Sequence, residues 1–327
     1  MRSSSLQVIL AVGVGVVVIA TASLSSAQTY PSRPIRFIVP FPAGGSTDAV
    51  ARAMQPALER IFGQPLVVEN RAGAGGVLGV DTVAKAAPDG YTIGIAGAGA
   101  LGVNIGESMK RPYDPDKDLA PISKAAGSPF LLVAPPALNA NSLHDVIKLA
   151  KAEPRRLSIG HGGNGTAMQL AAQMFVSKAE VKINLVPYRG TAPAVADTIA
   201  GHVQLGITDP PPSMGAIGEG RLKALAVSSR MRFSMFPEVP TFEEQGLKDF
   251  DITGWFGIVA PGATERPIVM KISAAVVAAL NDPEVVRRIQ AIGMEPAPMT
   301  PDQFSAYIAS EIAKAEKLQS LGDDKPN

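Results

Sequence analysis

The chain has 327 residues, of which 46% are hydrophobic and 18% are charged, and its formal net charge at pH 7 is +1. This length allows one large or two medium domains with a substantial core. The balanced charge and the lack of a basic face exclude nucleic acid as the expected partner. Cysteine is absent, which excludes disulfides, thiolate chemistry and cysteine-type metal sites.

The N-terminus has the pattern of a secretory signal peptide. Arg2 is its only charged residue, residues 8–20 are apolar, and residues 25–27 (SSA) form a small-x-small cleavage site. The apolar run is shorter than the ~20 residues that a membrane-spanning helix needs. We therefore predict that residues 1–27 are removed on export. The segment has no twin-arginine pair, so ordinary export in the unfolded state is expected.

Predicted strands and helices alternate through most of the remaining chain, which favours parallel α/β sheets. The predicted strands are residues 35–40, 66–69, 91–95, 130–134, 157–160, 183–187, 203–207, 224–227 and 256–260. The predicted helices are residues 47–62, 143–152 and 166–179, followed from residue 264 by 265–280, 283–292 and 301–318. Residues 210–212 (PPP) are expected to form a loop.

Two segments, residues 35–48 and 157–166, each lead from a strand through a glycine-rich loop into a helix. Glycine lets the backbone approach a ligand closely, and a helix start presents unpaired N–H groups at the positive end of the helix dipole. Two such loops in one chain are typical of two lobes that hold one small anion. A single carboxylate needs only two or three N–H donors, and Thr166 adds a hydroxyl.

The second loop also matches a dinucleotide fingerprint, because Gly160, Gly162 and Gly165 have the required spacing. The supporting acidic residue about 20 positions later is missing, since the next strand ends in residues 186–189 (VPYR). The lysine of a phosphate-binding loop is missing as well, which argues against a triphosphate. A nucleotide-dependent oxidoreductase that uses residues 160–165 remains the alternative function.

Few residues carry catalytic or metal chemistry. The three histidines, His144, His161 and His202, are scattered, and none has the spacing of a metal site or of a nucleophile and base. His161 either contacts a ligand or is a solvated loop residue. Asp48 either complements the dipole of the first helix or binds an amine or hydroxyl group. We predict no catalytic residue, no metal and no cofactor.

Two later segments point to the same place as the second glycine-rich loop. Residues 188–191 (YRGT) end one predicted strand and open a helix that Gly190 or Thr191 can cap, and Asp209 lies just beyond another predicted strand. In open α/β sheets, ligands bind outside the carboxyl ends of the strands. Both segments are therefore expected at the same cleft as residues 162–166.

Three runs of residues match a known family: residues 40–48 (PFPAGGSTD), 68–76 (VENRAGAGG) and 88–92 (PDGYT). Further matching segments are residues 188–191, 225–227, 254–257 and 260–261. Over essentially the whole mature chain they resemble the Bug family, the periplasmic solute receptors of tripartite tricarboxylate transporters. The resemblance implies a monomeric, non-catalytic receptor in the periplasm that delivers a small carboxylate to membrane transporter subunits. A receptor that serves a sensor instead is left open.

The resemblance also implies a type II periplasmic binding protein, in which two α/β lobes are joined by crossing strands near residues 130–134 and 255–260. Domain 1 would comprise residues 28–129 and 257–327, and domain 2 residues 130–256. The implied ligand-binding residues are Phe41, Ala43, Gly44, Gly45, Ser46 and Asp48 in the first loop, Gly162, Asn164, Gly165 and Thr166 in the second, and Gly97, Ala98 and Asp209 at other strand ends. The turn at residues 97–101 has no hydroxyl group, which favours an aromatic or alkyl carboxylate.

Overall fold

The computed structural model of the chain describes residues 30–103 and 111–323, with side chains up to residue 316. The predicted signal peptide lies outside the described residues. The strands are β1 (Ile35–Val39), β2 (Leu66–Asn70), β3 (Thr92–Gly97), β4 (Leu119–Pro129), β5 (Leu131–Ala134), β6 (Ser158–His161), β7 (Asn184–Pro187), β8 (Leu205–Thr208), β9 (Lys223–Val227), β10 (Thr253–Pro261) and β11 (Glu295–Pro296). The α-helices are α1 (Ser46–Phe62), α2 (Val77–Ala84), α3 (Pro115–Asp118), α4 (Leu143–Ala152), α5 (Ala167–Lys178), α6 (Thr191–Ala200), α7 (Pro210–Gly218), α8 (Arg266–Leu280), α9 (Pro283–Ala291) and α10 (Pro301–Asp323).

Two sheets organise the fold, and each forms the centre of one lobe. Lobe 1 surrounds a six-stranded sheet of order β11-β4-β10-β3-β1-β2, and lobe 2 surrounds a five-stranded sheet of order β7-β6-β8-β5-β9. β4 runs almost directly into β5, and residues 228–252 lead from β9 back to β10, so the chain crosses between the lobes twice. The expected pair of α/β lobes is confirmed. β10 belongs to the first sheet from Thr253 onwards, and the domain boundaries given above stay a prediction.

Both sheets are mixed, so the prediction of parallel sheets was wrong for part of each. β1 is parallel to β2 and β3, whereas β10 is antiparallel to β3 and β4. In the second sheet, β5 is antiparallel to β8 and β9. β5 and β10, which each arrive from the other lobe, run against their neighbours. The short β11 is antiparallel to β4 as well.

Several elements differ from the sequence prediction: α2, α3, β4 and β11 were not predicted, and α7 begins in a segment expected to be a loop. β4 was not predicted, because its residues are mostly small and it contains two prolines, a composition that is rare in strands. Pairing with β10 over its whole length forms it, and the pairing register shifts close to Pro121. Residues 210–212 form the first turn of α7 rather than a loop. Proline is tolerated there because the first N–H groups of a helix have no partner within it.

Buried apolar side chains fill a separate core in each lobe. In lobe 1, Phe37 of β1 packs with Met54 of α1 and Val276 of α8. In lobe 2, Leu132 of β5 packs with Phe175 of α5. Because neither core extends across the boundary, the lobes behave as units that can move relative to each other.

Ser228 ties the two crossing segments together at one buried point. Its Oγ accepts a hydrogen bond from the Phe130 N–H at 2.7 Å and donates one to the Ile252 carbonyl at 2.6 Å. The backbone N–H of Ser228 donates to the Phe130 carbonyl, and its carbonyl accepts from the Ile252 N–H. Phe130 separates β4 from β5, and Ile252 immediately precedes β10. Ser228 therefore holds the hinge between the lobes.

Replacing this serine should destabilise the protein. Ser228→Ala leaves the buried Phe130 N–H without its side-chain acceptor, and we expect the free energy of unfolding to fall by roughly 1–3 kcal/mol. Urea denaturation followed by circular dichroism measures the change. Ser229→Ala removes a hydroxyl that bonds only the Met231 carbonyl at the surface, and it should change stability by less than about 0.5 kcal/mol. Equal stability of the two variants would contradict this role of Ser228.

Candidate functional site

Two small cavities lie between the lobes, and they share Phe41, Thr166, Met168, Asp209 and Phe256. We call them the helix-end cavity and the apolar cavity. The helix-end cavity has a volume of about 30 Å³. Its other lining residues are Pro42, Gly45, Ser46, Thr47, Gly162, Gly190, Thr191, Ala192 and Pro193. The apolar cavity has a volume of about 50 Å³. Its other lining residues are Gly75, Gly97, Ala98, Gly99, Ser128, Phe130, Ala167, Gly254, Trp255 and Met294.

The N-terminal ends of two helices from opposite lobes meet at the helix-end cavity. α1 of lobe 1 begins after the N-cap residue Gly45, and α6 of lobe 2 begins after the N-cap residue Gly190. Neither N-cap glycine supplies a side-chain cap, so the first N–H groups of both helices remain available to a ligand. The positive ends of both helix dipoles add to this, and the arrangement favours a bound anion.

Ser46, the first residue of α1, strengthens this arrangement. Its side chain is buried, and its Oγ makes no hydrogen bond of good geometry among the described residues, although the Asp209 carboxyl group lies close to it. Burying a hydroxyl without a partner is costly. A ligand oxygen in the helix-end cavity would supply the missing partner.

The glycine at position 190 is required by its conformation and by a close approach between the lobes. Its φ is +124°, a conformation that residues with a side chain rarely adopt. A Cβ built there would lie 3.2 Å from Pro42 Cδ in the first loop of lobe 1. The two loops can approach each other across the cavity because this position has no side chain.

The second predicted glycine-rich loop is differently arranged, because its helix end is already capped. Thr166 Oγ1 accepts a hydrogen bond from the Gln169 N–H at 3.3 Å, and the Gly165 N–H donates to Gln169 Oε1 at 2.7 Å. The Gln169 N–H, at the third residue of α5, is thus occupied, and Pro193, the third residue of α6, has no N–H, so neither helix offers a donor to a ligand at this position. The same capping lowers the number of N–H groups that a dinucleotide pyrophosphate could use.

The structure brings eight of the thirteen predicted binding residues to the two cavities and places five elsewhere. The eight are Phe41, Gly45, Ser46, Gly97, Ala98, Gly162, Thr166 and Asp209. The five that line neither cavity are Ala43, Gly44, Asp48, Asn164 and Gly165. Asn164 is exposed, and its Oδ1 accepts a hydrogen bond from Gln169 Nε2.

Asp48 holds the first loop in place. Its Oδ2 accepts hydrogen bonds from the Gly44 N–H at 3.0 Å and from Arg52 Nε at 2.9 Å. Its Oδ1 accepts one from Asn70 Nδ2 at 2.9 Å. Burial alone would raise the pKa of this carboxyl group, but the hydrogen bonds from Arg52, Asn70 and Gly44 outweigh burial and lower it. Asp48 therefore remains ionised and fixes the loop to α1 and β2.

His161 is buried, so the expectation of a solvated loop histidine was wrong. Its Nδ1 interacts with the backbone of Gly163 within the same loop. Burial lowers the pKa of His161 to about 4, and the side chain is neutral at physiological pH. It does not line either cavity.

Asp209 is the N-cap residue of α7, yet it receives no hydrogen bond from its own helix. An N-cap carboxylate normally accepts from the N–H of the second or third helical residue. Here the first three helical residues are Pro210, Pro211 and Pro212, which have no N–H. Asp209 Oδ1 consequently has no hydrogen-bond partner among the described residues, although the residue is only 2% exposed.

The environment of Asp209 changes its protonation. Burial raises the pKa of the carboxyl group to about 6, and the nearby hydroxyls of Ser46 and Thr191 partly oppose the rise. Between about pH 4 and pH 6 the folded chain holds a proton here that the unfolded chain releases. The contribution of Asp209 to stability therefore falls as the pH rises through 6.

Asp209→Asn should remove this pH dependence. Because Asn carries no charge, we expect the variant to exceed the parent in free energy of unfolding at pH 8 by up to about 3 kcal/mol. The difference should shrink as the pH falls to 4. Urea unfolding at both pH values measures it, with the exposed Asp116→Asn as a charge-matched control. A difference between variant and parent that is the same at pH 4 and pH 8 would contradict the assignment.

Sequence analysis did not include the aromatic and apolar lining among the binding residues. Phe130, Trp255 and Phe256 line the apolar cavity, and they come from the crossing between β4 and β5 and from β10. The segment at residues 188–191 was expected to open a helix at the cleft, and α6 begins at Thr191 after the N-cap Gly190. That this helix start faces the first loop was not predicted.

The lobes touch across the cleft. A Cβ built on Gly99 would lie 1.8 Å from the carbonyl oxygen of Gly165, so lobe 1 and lobe 2 are in backbone contact there. A Cβ on Gly163 would lie 3.5 Å from Gly75 Cα. The structure is thus a closed form of the cleft.

Within the described residues, no group of three or more His, Cys, Asp or Glu side chains is arranged to bind a metal ion. None of the helices described combines the length and the hydrophobicity that a membrane span requires.

Comparison with known proteins gives the same classification as the sequence motifs. The family model described as "Tripartite tricarboxylate transporter family receptor" matches residues 50–322. Protein BugT of Bordetella pertussis (strain Tohama I) is 40% identical over 300 residues, which cover 90% of this chain and 92% of that protein.

Two solved structures from Rhodopseudomonas palustris have the same fold. The structure of Rpa4515 with adipate is 31% identical with a TM-score of 0.85, covering 90% of this chain and 98% of that one. The structure of MatC (Rpa3494) with bound malate is 32% identical with a TM-score of 0.83, covering 88% of this chain and 99% of that one. The matches confirm the resemblance to the Bug family and the two-lobed fold. The chain belongs to the family of tripartite tricarboxylate transporter receptors.

Proposed function

We propose that the protein is an extracytoplasmic solute receptor that closes its two lobes over a small carboxylate and delivers it to a tripartite tricarboxylate-type membrane transporter. One observation carries the proposal: the uncapped N-terminal ends of α1 and α6 face one cavity from opposite lobes, beside the unpartnered Ser46 hydroxyl. A carboxylate that accepts N–H groups from both helices stabilises the closed form, because only there do both helix ends reach it.

The two relatives with ligands support this class of solute. Rpa4515 was solved with adipate and MatC with malate, and both ligands are small carboxylates. In this chain, we assign the anion contacts to Gly45 and Ser46 of the first loop and to the α6 end at Thr191. The remaining predicted residues of the cavities surround the rest of the ligand: Phe41, Gly97, Ala98, Gly162, Thr166 and Asp209.

The cellular setting follows from the same proposal. Residues 1–27 act as a cleaved signal peptide, and the mature receptor works as a monomer in the periplasm. It performs no chemical reaction on its solute. On this proposal the solute is released when the lobes open at the transporter, so binding is reversible and the hinge at Ser228 takes part in each cycle.

Thermal unfolding of the mature protein with a panel of ligands tests the proposal. The panel contains malate, adipate, hexanoate and benzoate, with NADH and NADPH for the oxidoreductase alternative. We expect at least one carboxylate to raise the melting temperature and to change the fluorescence of Trp255, the single tryptophan of the chain. Stabilisation by a nicotinamide cofactor and by none of the carboxylates would overturn it.

A further inference from the structure

The two cavities form one continuous site with an uneven distribution of polar groups. The helix-end cavity has the free N–H groups of α1 and α6 and the Ser46 hydroxyl. The apolar cavity is lined mainly by apolar groups, among them the rings of Phe130 and Trp255. Its polar lining residues are Thr166, Asp209 and Ser128, and Ser128 Oγ is a buried hydroxyl without a hydrogen-bond partner among the described residues.

Charge is distributed just as unevenly. Among the described residues that line the two cavities, Asp209 is the only one with an ionisable side chain. Two arginines lie nearby but line neither cavity: Arg111 donates to the Gly99 carbonyl, and Arg52 pairs with Asp48. A negative charge in the apolar cavity would therefore meet apolar walls and another acid, without a cation to pair with.

We propose that the solute carries a single carboxylate and an uncharged, apolar body, and that Asp209 acts against solutes with a second carboxylate. The carboxylate lies at the ends of α1 and α6, and the aliphatic or aromatic body lies against Phe130, Trp255 and Phe256. This inference rests on the proposed function and narrows its substrate class.

The role of Asp209 depends on its three following prolines. In a helix whose first residues are not prolines, their N–H groups would donate hydrogen bonds to this carboxylate and offset part of its negative charge. The prolines remove those donors, so its negative potential reaches the site with only the partial compensation that the nearby hydroxyls of Ser46 and Thr191 provide. The first carboxylate of a ligand is balanced by two helix ends, whereas a second one has no such balance.

Calorimetry with hexanoate and adipate tests the inference, because these acids have six carbons each and differ in one terminal carboxylate. At pH 7.5 we expect the mature protein to bind hexanoate at least tenfold more tightly than adipate. Asp209→Asn should reduce the ratio of hexanoate affinity to adipate affinity at least threefold. Asp116→Asn, which removes an exposed charge outside both cavities, should leave this ratio unchanged.

The possible results separate the inference from the proposed function. Adipate binding as tightly as hexanoate, or more tightly, would overturn the single-carboxylate proposal and leave the receptor function intact. A ratio that Asp209→Asn and Asp116→Asn change equally would overturn the role of Asp209. Failure of hexanoate, adipate, malate and benzoate all to bind would overturn the proposed function, and the inference with it.

Discussion

Gly45→Leu should abolish the stabilisation of the protein by its carboxylate while leaving the fold intact. The N-cap Gly45 borders the helix-end cavity, and a Cβ there would be in ordinary contact, 3.4 Å from the Pro42 carbonyl oxygen. A leucine side chain would fill the space beside the N–H groups of α1. For the parent protein at a ligand concentration of 100 times Kd, stabilisation amounts to about 2.7 kcal/mol, or roughly 5 °C in melting temperature.

We expect the variant to lose nearly all of this rise and to keep the circular dichroism spectrum of the parent. Thermal unfolding with and without ligand measures the difference. Gly215→Leu is the matched control, because Gly215 is exposed on α7 and a Cβ there has no neighbour within 4 Å. A ligand-induced rise in Gly45→Leu equal to that of the control would show that the carboxylate is held elsewhere.

Gly99→Ala should weaken ligand binding by preventing closure. A Cβ at this position would lie 1.8 Å from the Gly165 carbonyl oxygen, and since both groups are backbone, neither can turn aside. The two lobes must then move apart, which raises the free energy of the closed form by on the order of 3 kcal/mol. The open form has no such clash, so the affinity should fall roughly 100-fold.

Two measurements together distinguish blocked closure from misfolding. Calorimetry gives the affinity, and small-angle X-ray scattering gives the radius of gyration, which should stay at the open value when ligand is added. Gly218→Ala, at a position on α7 with no neighbour within 4 Å of the new Cβ, serves as the control. Parent-like affinity and ligand-induced compaction in Gly99→Ala would contradict the closed contact as part of the binding cycle.

Local features of the sequence predicted much of the fold. The starts of α4 and α10 are examples, because both helices begin at the predicted residues 143 and 301. There Ser142 and Thr300 accept hydrogen bonds from N–H groups of the first turns. The first glycine-rich loop was also predicted, since strand, glycine and helix follow one another within a few residues. Such features depend on neighbours in the chain, which the sequence shows directly.

The features that the sequence could not predict depend on contacts between distant segments. β4 forms because β10 pairs with it, and its own composition gives no sign of a strand. The choice of α6 over α5 as the helix end opposite α1 depends on how the lobes pack. The burial of Asp209 was hidden for a similar reason, because the three prolines that leave it without donors are typical of a loop.

The position of a bound carboxylate is the most direct test of the account. A crystal structure of the mature protein with the tightest-binding acid of the panel should show a closed cleft. The carboxylate oxygens should accept hydrogen bonds from N–H groups of both helix starts, at Ser46 or Thr47 in α1 and at Thr191 or Ala192 in α6. A carboxylate bound only at residues 162–166, or outside the cleft, would contradict it.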